Sequence, residues 1–434
     1  MDMSAIDRVR ENEFIEEINL RGHDFFEDQK FLVAASYFER CMLSRPDNPT
    51  YTANYGACLW QLGRYDEAAA LLSKAAERWP EYDDVRENYG KTLTTLERFH
   101  EAVNQFDIVL GRNPDKFKVL LQRAFTRLDM GDWEKGLVDY EARRLVNKYQ
   151  VFPMPQWDGE DLTDKTLYVQ SEQGAGDTFL FSRYLWWIKQ KWPTCTINLC
   201  CHHQLIKPLW QYVSRGIVNY KPEGIPWEDN KADYGTYMMS LPRIHGTRPD
   251  TIPLDPGLIE QRCVAQEFAI PKPELGNPLK VGIVWNGNPE MRENGRRSVP
   301  IEKFIELSGD PRWMLYSLQV GPGRDDLYTS SGNESICDLS KWVGQPYGFV
   351  ATGACMAKLD LVITICTSAA HLAGCMGVRT WVLLGKEPYW IWGRHGNTSD
   401  WYPSVRLFRQ PEFGDWDSVF DELRDQLGKL YTMV

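Results

Sequence analysis

The sequence predicts an α-helical repeat array followed by an α/β region whose two parallel-sheet halves face a cleft. Three observations lead there. Small residues recur every 34 positions through the first third of the chain. Beyond a proline-containing stretch, short apolar strands alternate with helices, the pattern of parallel sheets. Three of the loops that follow such strands are glycine-rich or unusually polar, and in parallel α/β sheets ligands bind at the carboxyl ends of strands.

The repeats come first. Gly22, Gly56, Gly90 and Ala124 share one register, as do Ala34, Ala68, Ala102 and Gly136, and Phe38, Leu72, Phe106 and Tyr140. Pro46, Pro80 and Pro114 close the first three units. A 34-residue period is that of the tetratricopeptide repeat, a helix pair that buries its face only by stacking on its neighbour. Small residues are expected where the two helices of a unit cross. The aromatic or leucine is expected to fill the groove between units, and the proline to stop the second helix. The units are placed at 15–48, 49–82, 83–116 and 117–148, after a lead at 1–14. Such an array presents a concave surface, expected to dock a protein or peptide; a spacer or dimerisation arm is the alternative.

A linker is read at 149–164 from Pro153, Pro155 and Gly159. Strands are expected at 166–170 and 196–200 in a first half (165–278), and at 280–285, 313–319, 361–364 and 380–384 in a second (279–434). Pro271 to Pro278 separates the halves. In the first, 174–177 reads as a tight loop and 178–191 as one helix.

Composition bounds the function. The 434 residues include 17 Trp, 20 Tyr and 18 Phe, ample for large cores. With 49 basic and 60 acidic residues the net charge is −11, which argues against nucleic acid as the main partner. Residues 1–17 are charged throughout and lack the apolar segment of a secretory signal. No run is long and apolar enough for a membrane span, and the ten cysteines form no CxxC pair, so a cytoplasmic location is expected. Cys195, Cys200, Cys201, His202 and His203 cluster, but read better as a buried strand and its loop than as a metal site.

The loops carry the chemistry. In SEQGAGDT, Gly174 and Gly176 let backbone N–H groups approach a ligand where a helix starts. Asp177 stands beside them, either facing a cleft or simply capping that helix. The loop WNGNPEMRENGRRS holds Asn286, Asn288, Arg296 and Arg297; arginine suits bidentate phosphate contacts, though ion pairs on a solvated loop would read the same. In ICTSAAHLAG, Thr367 and Ser368 open a helix whose free N–H groups suit an anion. His371 follows one turn in, as a ligand contact or as a packed, hydrogen-bonded histidine.

Taken together, EQGAGDT, GIVWNGNP, TSAAHLAG and WYPSVRLFRQ resemble the heptosyltransferase-like glycosyltransferases of GT-B type, with two Rossmann-like halves. The resemblance is to the bacterial branch in which this domain follows tetratricopeptide repeats, and it covers nearly the whole chain. It implies a metal-independent transferase with a nucleotide sugar as donor substrate and no further cofactor. By the same resemblance Asp177 is the general base, and Gln173, Gly174 and Gly176 form the acceptor-side loop. Asn286, Asn288, Arg296, Arg297, Gln319, Thr367, Ser368 and His371 bind the donor. One position departs from the pattern: the acid expected before the threonine is Cys366. Asp415-Trp416-Asp417 formally matches a metal-binding DxD and reads as a helix cap. Three functions follow: a glycosyltransferase whose repeats recruit a protein acceptor, a non-catalytic assembly protein of the same fold, or a transferase acting on a glycan, small molecule or nucleic acid.

Overall fold

A computed structural model describes residues 3–223, 231–254, 270–271, 276–291, 294–340, 342–343 and 348–433. The chain forms two compact units, Met1–Tyr149 and Gln150–Val434.

The first unit is a series of antiparallel helix pairs: α1 (Met3–Glu27) with α2 (Phe31–Ser44), α3 (Pro49–Gln61) with α4 (Tyr65–Arg78), and α5 (Asp83–Thr95) with α6 (Phe99–Arg112). Last come α7 (Phe117–Asp129) with α8 (Trp133–Asp139), a 3₁₀ turn at Tyr140–Ala142 and α9 (Arg143–Val146). The 34-residue glycines explain the crossings. A Cβ atom on Gly22 would lie 2.8 Å from Phe38, one on Gly56 2.7 Å from Leu72, and one on Gly90 2.6 Å from Phe106. The large residue therefore sits on the glycine of its own unit, rather than chiefly between units as the sequence suggested. The clusters it joins do extend to the next unit, as Phe38 does with Cys58. Of the lead at 1–14, the described residues 3–14 are no separate segment. They are the start of α1, whose Ile15 and Ile18 pack with Cys41 and Tyr51. In the last pair Arg123 and Arg127 both bond the buried Asp139 carboxylate.

The second unit holds two sheets, parallel throughout. The four-stranded sheet contains β1 (Thr166–Gln170), β2 (Thr196–Cys201), β3 (Asn219–Pro222) and β4 (Tyr234–Tyr237), in the order β3-β2-β1-β4. The six-stranded sheet contains β5 (Leu279–Val284), β6 (Trp313–Ser317), β7 (Ile336–Asp338), β8 (Leu361–Ile365), β9 (Thr380–Leu384) and β10 (Val405–Arg409), in the order β10-β9-β8-β5-β6-β7. Counted from its own first strand, the second sheet runs 3-2-1-4-5-6, the Rossmann order, and the first runs 3-2-1-4. The helices of the first half are α10 (Ala175–Phe181), α11 (Arg183–Lys191), α12 (His203–Ile206), α13 (Trp210–Ser214) and α14 (Leu241–His245). Those of the second are α15 (Asn294–Arg297), α16 (Ile301–Leu307), α17 (Asp325–Thr329), α18 (Gly348–Met356), α19 (Ser368–Cys375) and α20 (Trp416–Tyr431). The core of the second half joins β5, β6 and β8 to α16 and to Trp416, Val419, Phe420, Leu423 and Leu427 of α20.

Several expectations change. Residues 174–177 are not a loop, because the helix already begins at Ala175, and 178–191 is two helices that meet at Ser182. The stretch 149–164 is no free linker. Trp157 is fully buried, and the Trp157 N–H donates to Gly235 O while the Gly235 N–H donates to Pro155 O, both at 2.9 Å. Phe152 packs on Tyr237 and against Gly235, where the missing Cβ leaves room for the ring. Residues 152–157 thus run as a strap along β4. Part of the boundary at 271–278 lies outside the described residues. Cys200 and Cys201 are buried in β2, and His202 caps α12 by accepting the Gln204 N–H. No described helix is long and apolar enough to cross a membrane.

Candidate functional site

Strand order locates the site. Each sheet reverses direction once, between β1 and β4 in the first and between β5 and β8 in the second. At such switch points the loops leave in opposite directions and open a crevice. The three loops singled out in the sequence follow β1, β5 and β8, so all of them lie at switch points. The halves also bring them together. A Cβ atom on Gly176 of α10 would stand 2.7 Å from His371 Cδ2 and 3.3 Å from Ser368 Cα, both on α19. The Cys375 thiol donates to Phe179 O at 3.4 Å across the same seam. Arg183, almost fully buried, extends the contact by donating to Trp401 O at 2.9 Å.

In the loop after β1, Gln173 is exposed and left-handed (φ 57°), which turns the chain into α10. The Gly174 N–H donates to Asp177 Oδ2 at 3.1 Å, so one carboxylate oxygen caps the helix. Glu172, buried, accepts the Met239 N–H at 2.9 Å and ties this loop to the segment after β4.

In the loop after β5, most of the expected ligand residues hold the loop itself. Gln319 Oε1 accepts the N–H groups of Trp285 and Asn286, and its amide nitrogen donates to Asn286 O and Val320 O. Asn286 is bonded to Asp326, Asn294 and Ser298. Asn288 accepts the Glu290 N–H in a local turn. The two arginines separate. Arg296 pairs with Glu387 at 3.0 Å, with both side chains largely buried, and lies over the Phe413 ring. Arg297 turns inward: it donates to Cys366 O at 3.0 Å and to Asn294 Oδ1 at 3.4 Å, and lies 3.3 Å from Met291 Sδ. Among the described residues Arg297 has no carboxylate partner. Its path needs Gly287, where a Cβ atom would meet the guanidinium at 2.6 Å.

In the loop after β8, Thr367 is the N-cap of α19 without a side-chain cap bond, and Ser368 opens the helix. His371 is buried against Trp392 and Tyr402. Burial, helped by Arg183, lowers its pKa to about 3, so the ring stays neutral. Burial pushes the Cys366 thiol up; the Trp392 N–H at 3.1 Å and Arg297 oppose the rise, and Asp177 adds to it. Gly176, Asp177, Arg297, Cys366, Thr367, Ser368 and His371 are thus neighbours. Arg296, Asn288 and Gln319 are engaged elsewhere, and Gln173 faces solvent.

Sequence reasoning missed Trp392, Tyr402 and Glu172. Tyr402 lies within the quoted WYPSVRLFRQ, but nothing in that spacing ties it to a histidine 31 residues earlier. A second loop anchor is Arg409, whose guanidinium donates to four carbonyls within 392–396 and so fixes Trp392. Asp415 caps α20 by accepting from Ser418, and Asp417 pairs with Lys303.

Known proteins resemble the chain in two ways. Tetratricopeptide-repeat family models match residues 19–83 and 59–124. Protein FlbA of Caulobacter vibrioides is 24% identical over 457 residues, which cover 91% of this chain and 75% of that protein. The inactive TPR repeat-containing thioredoxin TTL3 of Arabidopsis thaliana is 26% identical over 144 residues, 31% of this chain and 21% of its own. Among solved structures, MamA (AMB-1) is 28% identical with a TM-score of 0.26, covering 32% of this chain and 75% of that one.

Proposed function

We propose that residues 150–434 transfer a glycosyl group from a nucleotide-diphosphate sugar to an acceptor hydroxyl, and that the repeat array recruits a protein or peptide carrying that acceptor. The observation that carries this reading is Arg297. It is a guanidinium bonded to neutral acceptors, beside the open first turn of α19, where two switch points face each other. A helix N-terminus without a side-chain cap and a cation with no carboxylate partner among the described residues together suit a diphosphate. In the reaction the acceptor oxygen would attack the anomeric carbon and pass its proton to Asp177. The bond from that carbon to the diphosphate would break, leaving its charge on the phosphate held by Arg297 and α19. No metal is needed for that step.

A non-catalytic assembly role has two observations in its favour: Asp177 already serves as a helix cap, and Cys366 stands where the resemblance leads one to expect an acid. Calorimetry with a nucleoside diphosphate and its nucleoside tests the site. Arg297→Ala is expected to weaken the diphosphate by the loss of charge-assisted bonds, about 1.5–3 kcal/mol each, and to spare the nucleoside. Arg296→Ala is expected to lower the melting temperature and leave the ratio of the two affinities alone. Equal losses for both ligands in Arg297→Ala would remove the phosphate contact. Diphosphate binding without any hydrolysis or transfer of nucleotide sugars would favour the assembly role.

A further inference from the structure

His371 is 4% exposed, and its ring is fixed on three sides. Trp392 stacks on one face, with centroids 5.4 Å apart and planes 19° from parallel. The Cδ2 edge lies against Gly176. Nδ1 is 3.0 Å from the Tyr402 hydroxyl. The tyrosine reaches this far because position 374, one turn further along α19, is glycine: a Cβ atom there would stand 2.7 Å from the Tyr402 ring. The Arg183 guanidinium lies over that ring, 5.0 Å from its centroid.

A neutral imidazole has one nitrogen that donates and one that accepts, and the partner of one decides the role of the other. Tyr402 has a single O–H. The Cys375 sulfur, 3.8 Å away, is a weak acceptor and has the Phe179 carbonyl within its own reach. Between these two, Nδ1 is the better acceptor for the phenol proton. The ring proton then belongs on Nε2, the atom bonded to Cδ2; Cδ2 itself lies against Gly176, which also approaches Ser368 Cα.

We propose that Tyr402 is a positioning residue whose hydroxyl donates to His371 Nδ1, locks the Nε2–H tautomer and so aims a ring N–H at the anion held by Arg297 and α19. The opposite tautomer would present a lone pair to a phosphate oxygen. The anion part of this inference rests on the diphosphate site proposed above; the tautomer does not.

The test uses the full chain labelled with ¹⁵N-histidine. It has seven histidines, and the His371 signals are identified by their loss in His371→Gln. Wild type is expected to show the neutral Nε2–H pattern, and Tyr402→Phe to lose it. Inorganic pyrophosphate, titrated calorimetrically, is expected to bind Tyr402→Phe roughly tenfold more weakly, the loss of one hydrogen bond. Tyr402→Phe combined with His371→Gln is expected to recover most of that affinity. The glutamine amide offers an N–H at the ε position whatever residue 402 is. An Nδ1–H ring in wild type, or an unchanged tautomer in Tyr402→Phe, would overturn the proposal. So would a double variant as weak as the single one, since that is what general loosening of the fold produces. Wild type with the Nε2–H pattern but no pyrophosphate binding would discard the anion and the function built on it, and leave the tautomer assignment standing.

Discussion

The repeat array and the α/β unit encode their packing in opposite ways. In the array one contact is written three times, Gly22 on Phe38, Gly56 on Leu72 and Gly90 on Phe106. Each copy checks the others, so the crossing is readable from period alone. In the α/β unit the decisive contacts occur once. Cys375 meets Phe179 across 196 residues, and Arg183 meets Trp401 across 218. No period announces them. Stacked units build a surface from a repeated local rule, whereas a ligand site needs chemically different loops to converge. That convergence is a property of strand order, which single loops do not reveal.

The largest expected effect lies at the unrepeated site. Asp177→Asn should lower transfer by roughly 10²–10⁴-fold, the usual contribution of a positioned acid or base, with melting temperature and donor affinity kept. Stability should survive because asparagine can still accept the Gly174 N–H and is as good a cap. A transfer assay beside a melting curve decides. Full turnover in this variant would reduce Asp177 to its capping role and remove it from the chemistry.

The elements that escaped the sequence share a physical cause. β3, β4, β7 and β10 are the four edge strands of the two sheets. They are short or only partly buried, as Asn219–Pro222 and Ile336–Asp338 show, so they lack the continuous apolar run that marks a strand covered on both faces. The inner strands had that run, and β1 and β9 were legible to the residue. Within the site, the loops were legible because glycines and paired arginines are unusual after a strand. Their internal division was not. Whether Arg296 or Arg297 faces the crevice depends on Glu387, 91 residues from Arg296. Gln319 looked like a ligand residue, but its amide holds the backbone at Trp285 and Asn286.

The next effect belongs to the array. Gly90→Trp should cost about 1–3 kcal/mol or more, because the ring of Phe106 occupies the space a side chain would need. Neighbouring units stack on one another, so the loss should spread through the array rather than stay in one repeat. Hydrogen exchange can follow the spread. Wild-type melting with undisturbed exchange in α5 and α6 would break the claim that the crossing is a repeated rule.

The smallest effects are expected at Asp415 and Asp417, where sequence pattern and structure part most plainly. Spacing alone matches a metal-binding acid pair. The structure gives the two carboxylates separate work: Asp415 accepts the Ser418 N–H at 3.0 Å and its hydroxyl at 2.6 Å, and Asp417 reaches Lys303. The bonds from Ser418 hold the Asp415 carboxyl below its ordinary range. A carboxyl lowered on folding adds stability above its ordinary pKa and loses it as the pH falls through the lowered value. Asp415→Ala should therefore melt slightly below wild type at pH 7, and the gap should shrink on acidification. Asp415→Asn should keep the cap at neutral pH and carry no such pH dependence. Asp417→Asn removes one exposed ion pair, an interaction that contributes little, and should leave both melting and transfer unchanged. A metal pair makes the contrary forecast, in which either asparagine, or a chelator added to wild type, abolishes transfer. That result would put Asp415 and Asp417 into the chemistry and take the leaving phosphate away from Arg297.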